Sequence, residues 1–86
     1  MNNVSQVGHK WVGKKAIFRK SLVTPELLAE KREANLVMRP GDEVRIEKVF
    51  YDWNNVKGLT MLWVENLSST NSIKQAHVTP DDLGLK

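Results

Sequence analysis

The chain has 86 residues, no cysteine and a formal net charge of +3. A chain of this length forms one small domain with one compact core, so a deep cleft between two lobes is not expected. The absence of cysteine excludes disulfides, zinc sites with thiolate ligands and cysteine nucleophiles. No apolar run approaches the ~20 residues that span a bilayer, and the N-terminus lacks the apolar core of a secretory signal, which predicts a cytoplasmic protein without membrane contact.

The N-terminal part of the chain is first polar and then basic. Residues 1–10 predict a flexible arm, followed by a single small domain over residues 11–86. After the arm, Ala16 and Phe18 share one face of an alternating stretch, which predicts a first strand. Residues 1–25 contain five basic residues and no acidic one, whereas residues 26–86 contain eight basic and ten acidic residues.

One short helix is predicted at about residues 25–34. Thr24 can cap its N-terminus, and Pro25 has the fixed backbone angle that suits the first helical position. Leu27 and Leu28 supply a short apolar stripe, and Asn35 can end the helix. Because an isolated helix of this length is marginal, it must be held by docking onto the rest of the domain.

The remaining elements are short strands separated by turns. Pro40-Gly41 indicates a type II turn, with proline at its second position and glycine at its third. Alternation then predicts strands at residues 43–47, 59–66 and 73–78. Leu62 and Val64 face one way in the middle one of these, and Met61 and Trp63 face the other. A helical turn at Pro80 precedes a last extended piece.

The order of these elements resembles the SH3-like small barrel. Residues 41–44 match the Gly-Asp/Glu pair that opens the second strand of that group, and residues 79–83 match its one-turn helix. The resemblance covers about residues 12–86 and implies a mainly β fold, a small five-stranded antiparallel barrel with the helix in its first long loop. The aromatic signatures that bind proline-rich peptides are missing, which excludes that activity.

Residues with catalytic or metal-binding chemistry do not form a recognisable set. His9 lies in the predicted arm, and His77 is interpreted as a surface residue beside a turn. The acidic pair at residues 81–82 is typical of an N-terminal helix cap rather than of a general acid and base. No nucleophile elbow, phosphate-binding glycine loop or metal-ligand spacing occurs, so the sequence predicts no enzyme, no cofactor and no metal site.

Aromatic residues in and beside the loop after the second strand indicate a binding surface. The predicted partner-binding residues are Tyr51, Trp53, Asn54, Lys57 and Trp63. Aromatic anchors of this kind dominate the binding energy of protein interfaces. The predicted function is therefore a non-catalytic protein-interaction module, an accessory, adaptor or inhibitor protein that binds another protein. The alternative interpretation of Trp63 is that it is covered and belongs to the core.

Two other functions are compatible with the sequence. The basic first strand can follow phosphates while aromatic side chains stack on bases, which predicts a nucleic-acid-binding surface at Lys14, Lys15, Arg19 and Lys20. Self-association as a structural subunit is the third possibility, and the sequence does not define the oligomeric state. Glu43 and Glu47 on the neighbouring strand oppose the nucleic-acid interpretation because they dilute the positive field.

Overall fold

The computed structural model describes residues 8–85. Most of the predicted arm, residues 1–7, lies outside the described residues, as does residue 86, so the division into an arm and a domain stays a prediction. The described chain contains strands β1 (Lys15–Ile17), β2 (Glu43–Phe50), β3 (Met61–Asn66) and β4 (Gln75–Val78), with one α-helix, α1 (Leu28–Val37).

The four strands form one antiparallel sheet in the order β1-β2-β3-β4. The predicted turn at Pro40-Gly41 is confirmed: the amide of Asp42 donates to the carbonyl of Arg39 at 3.0 Å, and Gly41 has a φ of 99°. Only glycine adopts that backbone angle without steric cost, and it directs the chain into β2. Because an α-helix accompanies the four strands, the fold is a mixed α/β domain rather than the mainly β domain that the sequence predicted.

Each face of the sheet carries its own apolar cluster. Val44, Ile46, Leu62 and Val64 are fully buried on one face, as their alternation predicts. We call this group the main cluster; it comprises Phe18, Ala34, Met38, Val44, Ile46, Val49, Leu62, Val64, Ala76, Val78 and Leu83. The opposite face carries what we call the aromatic cluster, which comprises Leu27, Phe50, Trp53 and Met61, with Leu59 and Trp63 packed against them.

An irregularity in β2 changes which of its residues face each cluster. The pairing register between β2 and β3 shifts between Ile46 and Lys48. A bulge of this kind adds one residue to one strand, so the side chains beyond it change faces. Val49 therefore joins Ile46 in the main cluster, and Phe50 lies on the aromatic face beside Met61, its partner on β3.

The predicted helix is present but extends further, and of its two predicted apolar residues Leu27 is buried and Leu28 is not. A 3-10 turn at Pro25–Leu27 leads into α1, and Pro25 occupies the predicted first position, although the Thr24 side chain makes no capping hydrogen bond. Leu28 is 40% exposed, whereas Lys31 and Ala34 are buried. Leu27, Lys31 and Ala34 lie on one side of the helix because residues three and four apart share a face, and this side packs on β4.

The predicted fifth strand is absent from residues 8–85, and the sheet is open at β1. After β4, a 3-10 turn at Pro80–Leu83 ends at Gly84, which has a φ of 68°. That left-handed residue turns the chain back, so that the amide of Leu85 donates to the carbonyl of Pro80 at 2.9 Å. The chain therefore curls away from β1 where a last strand was expected.

Candidate functional site

The loop after β2 has a backbone conformation that few residues adopt. Asp52, Asn54 and Asn55 have φ values of 51°, 53° and 64°, in the left-handed region. Asparagine and aspartate tolerate this region better than other non-glycine residues, which explains the composition of the loop. Left-handed residues of this kind cluster at binding sites, where the surrounding structure holds them in place.

Hydrogen bonds within the loop fix this conformation. The amide of Trp53 donates to the carbonyl of Leu59 at 3.0 Å, and the amide of Leu59 donates to the carbonyl of Val56 at 3.1 Å. The Asp52 carboxylate accepts from the amide of Gly58 at 2.8 Å. Residues 51–60, which we call the 51–60 loop, therefore form a hydrogen-bonded unit rather than an open connection.

Trp53 anchors the loop and is not one of its exposed residues. Its side chain is 8% exposed, and its ring lies 5.0 Å from that of Phe50 and 4.6 Å from that of His77, measured between centroids. Its indole N–H is buried without an acceptor among residues 8–85. The structure therefore places this predicted partner-binding residue in the aromatic cluster, where it holds the loop against the sheet.

Trp63 is also covered in part. It is half-buried on β3, and its ring centroid lies 4.5 Å from that of His77, its neighbour in register on β4. Met61, on the same face, is fully buried. This arrangement agrees with the alternative interpretation of Trp63 as a residue packed against a core.

His77 lies among these rings and not on an open surface as the sequence interpretation held. Besides Trp53 and Trp63, it contacts Phe50 with ring centroids 6.2 Å apart. Burial lowers the pKa of His77 because it disfavours the imidazolium; the carboxylates of Glu33 and Glu30 act in the opposite direction, and the Lys48 ammonium adds to the lowering. Sequence reasoning missed these surroundings of His77 because one of the rings that cover it, that of Trp53, comes from a loop.

Three of the predicted residues do lie on the surface of the loop. Tyr51 is 43% exposed, and Asn54 and Lys57 are exposed as well. The Tyr51 ring contacts that of His9 at 5.7 Å between centroids, and His9 in turn contacts Trp11 at 5.0 Å. An aromatic rim thus runs from the loop to the segment before β1, which the sequence interpretation assigned in part to the arm.

A cavity of about 440 Å³ adjoins this rim. Its walls include Gly58, Leu59 and Thr60 from the 51–60 loop together with Trp11, and Leu22 and Leu27 also line it. The apolar walls and the few polar groups among them are typical of binding cavities. The cavity and the aromatic rim share Trp11, so they form one continuous surface.

The polar part of the cavity lining contains a buried ion pair. Lys31 Nζ donates to Asp82 Oδ2 at 2.6 Å and to Thr79 Oγ1 at 2.9 Å. The Thr79 amide also donates to Asp82 Oδ2 at 3.0 Å, and Asp82 completes a capping box around the 3-10 turn. The capping role predicted for this acidic pair is confirmed for Asp82, whereas sequence reasoning missed its partner Lys31, because lysine side chains are normally exposed to water.

The four basic residues proposed for nucleic-acid binding are all exposed, in or beside β1. They are Lys14, Lys15, Arg19 and Lys20. On the adjoining strands, Arg45 lies 3.5 Å from both Glu47 and Glu65, so its charge is balanced there. The charge of Arg45 therefore does not add to that of the basic residues at the β1 edge.

No helix in residues 8–85 is long and apolar enough to cross a membrane. Within the same range, no three histidine or acidic side chains converge to form a metal-binding group. Comparison with protein-family models, curated proteins and solved structures finds no match to this chain. The site therefore has to be interpreted from its own geometry.

Proposed function

We propose that this protein is a non-catalytic protein-interaction module that docks another protein through the 51–60 loop and the adjoining cavity. The observation that carries the proposal is the rigid presentation of Tyr51. The loop is held by its own hydrogen bonds and by the buried Trp53, while Tyr51 stays exposed and is linked through His9 to Trp11 at the cavity. A fixed aromatic side chain loses little entropy on binding, which is why tyrosine is common at interface hot spots.

The chemistry of the cavity supports a binding role rather than a catalytic one. The Lys31 ammonium donates to both Thr79 and Asp82, and the Thr79 amide donates to Asp82. This network joins α1 to the 3-10 turn at Pro80–Leu83. An ion pair used in this way is a structural connection. The apolar walls and Tyr51 offer shape and burial to a partner side chain.

Nucleic-acid binding is the less favoured function. Single-strand binding by small barrels uses exposed aromatic faces next to a basic groove. Here Trp53 and Trp63 pack against His77, so Tyr51 is the one exposed aromatic side chain of the predicted surface. Self-association through the same surface is the third proposal, and sedimentation at two protein concentrations tests it.

The arrangement of elements supports a related proposal about the fold. A strand, a long loop with a helix, a three-stranded meander and a 3-10 turn follow each other as in the SH3-like barrel. We propose that the domain is an open form of that barrel, without its closing strand. This relationship carries no function with it.

Affinity capture from nuclease-treated extract of the source cells tests the proposed function. The immobilised protein is compared with Tyr51→Ala and with Ile73→Ala, which removes an exposed apolar side chain from the β3–β4 loop. We expect the wild-type protein and Ile73→Ala to retain the same polypeptide, and Tyr51→Ala to retain at least tenfold less, about 1.4 kcal/mol of binding energy. Equal retention by all three proteins, or loss of the partner on nuclease treatment, would contradict the proposal.

A further inference from the structure

The outer edge of β1 offers unpaired backbone groups. Residues on this strand alternate between two directions, and the even-numbered ones face β2: the Phe18 amide donates to Asp42, and the Lys14 carbonyl accepts from Ile46, at 2.8 and 2.9 Å. The N–H and C=O groups of Lys15 and Ile17 therefore point away from the sheet. Among residues 8–85, no backbone group pairs with them on that side.

The chain itself begins to cover this edge and then stops. The amide of Arg19, the next odd-numbered residue, donates to the carbonyl of Asp82 at 2.8 Å. The Arg19 guanidinium lies against Gly84, where an added Cβ would approach its Cζ to 2.6 Å. Because the chain turns back at Gly84, the edge is closed at Arg19 and open at Lys15 and Ile17.

The charges along this edge define which strand can add to it. Lys14, Lys15, Arg19 and Lys20 are all exposed, and Glu43 on β2 pairs with Ile17 in register. A second copy of β1 placed against the first would bring lysine against lysine, which disfavours self-pairing. An incoming strand with acidic side chains on this face would instead meet Lys15 and Arg19.

The other face of β1, which carries Ala16 and Phe18, defines which side chains the incoming strand needs on its second face. Phe18 belongs to the main cluster, and Ala16 is half-buried against it. Side chains of an added strand alternate between the same two faces. Those beside Ala16 would extend the main cluster and are therefore apolar, whereas those beside Lys15 are acidic.

We propose that the edge of β1 binds an extended segment of a partner protein in which acidic and apolar residues alternate, as an added strand of the sheet. The backbone groups of Lys15 and Ile17 supply the hydrogen bonds, and the lysines supply the selectivity. This site is separate from the 51–60 loop, so it does not depend on the function proposed for that loop.

Amide hydrogen exchange measured by NMR tests the proposal on the full-length protein. The probe is a ten-residue peptide of alternating glutamate and valine with blocked ends, and the matched control replaces each glutamate with lysine. We expect the glutamate peptide at millimolar concentration to slow exchange at the Lys15 and Ile17 amides at least tenfold. The amide of Phe18, which is already bonded to β2, is expected to change less than twofold.

Two variants distinguish this site from other causes of protection. Lys15→Glu is expected to abolish the effect of the peptide, whereas Lys57→Glu, which alters an exposed lysine of the 51–60 loop, and Tyr51→Ala are expected to leave it unchanged. The proposal is overturned by equal protection from the lysine peptide or by protection that spares Lys15 and Ile17. It is also overturned if a single-stranded oligonucleotide binds at Lys14 and Lys15 and the glutamate peptide does not.

Discussion

The two apolar clusters lie on opposite faces of one sheet, yet they are built in different ways. The main cluster consists mostly of strand residues, with Phe18, Ala34, Met38 and Leu83 added from outside the strands. The aromatic cluster is covered by a loop whose backbone includes three left-handed residues. The comparison teaches that regular alternation builds the larger apolar cluster of this domain, and that an irregular loop builds the surface that we propose for binding.

The largest effect on stability is expected at the ion pair between α1 and the 3-10 turn at Pro80–Leu83. Lys31→Met leaves the Asp82 carboxylate buried without its counter-ion, so we expect the free energy of unfolding to fall by about 3–5 kcal/mol. Urea denaturation measures this loss. Lys20→Met, at an exposed position, serves as the control and is expected to change stability by less than about 0.5 kcal/mol.

Two adjacent residues of β3 compare the clusters directly. Leu62 points into the main cluster and Met61 into the aromatic cluster, and both are fully buried. Leu or Met to Ala substitutions cost about 2–5 kcal/mol, depending on how far the site collapses. We expect Leu62→Ala at the upper end of this range and Met61→Ala at the lower end, because a loop relaxes more readily than a sheet. A larger loss for Met61→Ala in urea denaturation would reverse the proposed ranking.

Substitutions at the left-handed positions of the 51–60 loop are expected to change the free energy of unfolding less. Asn55 has a φ of 64°, and alanine tolerates this left-handed angle less well than asparagine does. Asn55→Ala is therefore expected to lower the free energy of unfolding by about 1 kcal/mol. Asn55→Gly is expected to cost close to nothing, because glycine adopts this angle freely. If the alanine and glycine variants unfold at the same denaturant concentration, backbone strain does not shape this loop.

The smallest effect is a pH dependence at His77. Because its pKa is lowered from 6.5 on folding, the unfolded state binds the proton more tightly than the folded state. The contribution of the neutral His77 imidazole to the free energy of unfolding is therefore complete above pH 6.5, and it decreases as the pH falls toward the lowered pKa of the folded state. His77→Phe is expected to flatten the change in unfolding free energy across this window. A slope identical to that of the wild-type protein would show that His77 does not titrate as described.

The sequence predicts the main cluster well because strand alternation is a local pattern. The orientations of Val44, Ile46, Leu62 and Val64 are confirmed, as is the turn at Pro40-Gly41. The helix is confirmed in position and in the burial of Leu27, but the sequence did not predict that Lys31 is buried, where it pairs with Asp82. That pairing joins residues far apart in the sequence, and periodicity contains no information about it.

The candidate site is predicted less completely for a related reason. Tyr51 and Trp53 are close in the sequence and looked equivalent, but the left-handed residue between them directs one outward and the other inward. The fifth strand was predicted from the resemblance to the SH3-like barrel, with Gly84 and Leu85 in the last extended piece after the helical turn. The hydrogen bond from Leu85 to Pro80 turns them back instead.

Native-state hydrogen exchange in Trp53→Ala tests most directly whether the 51–60 loop is a rigid unit anchored by the aromatic cluster. In the wild-type protein the amides of Val56 and Leu59 are bonded within the loop. We expect Trp53→Ala to raise their exchange rates at least tenfold, while the amides of Ile46 and Val64 retain most of their protection. Unchanged protection in the loop would contradict the anchoring role of Trp53, and equal loss at all four amides would show that the two clusters are one cooperative unit.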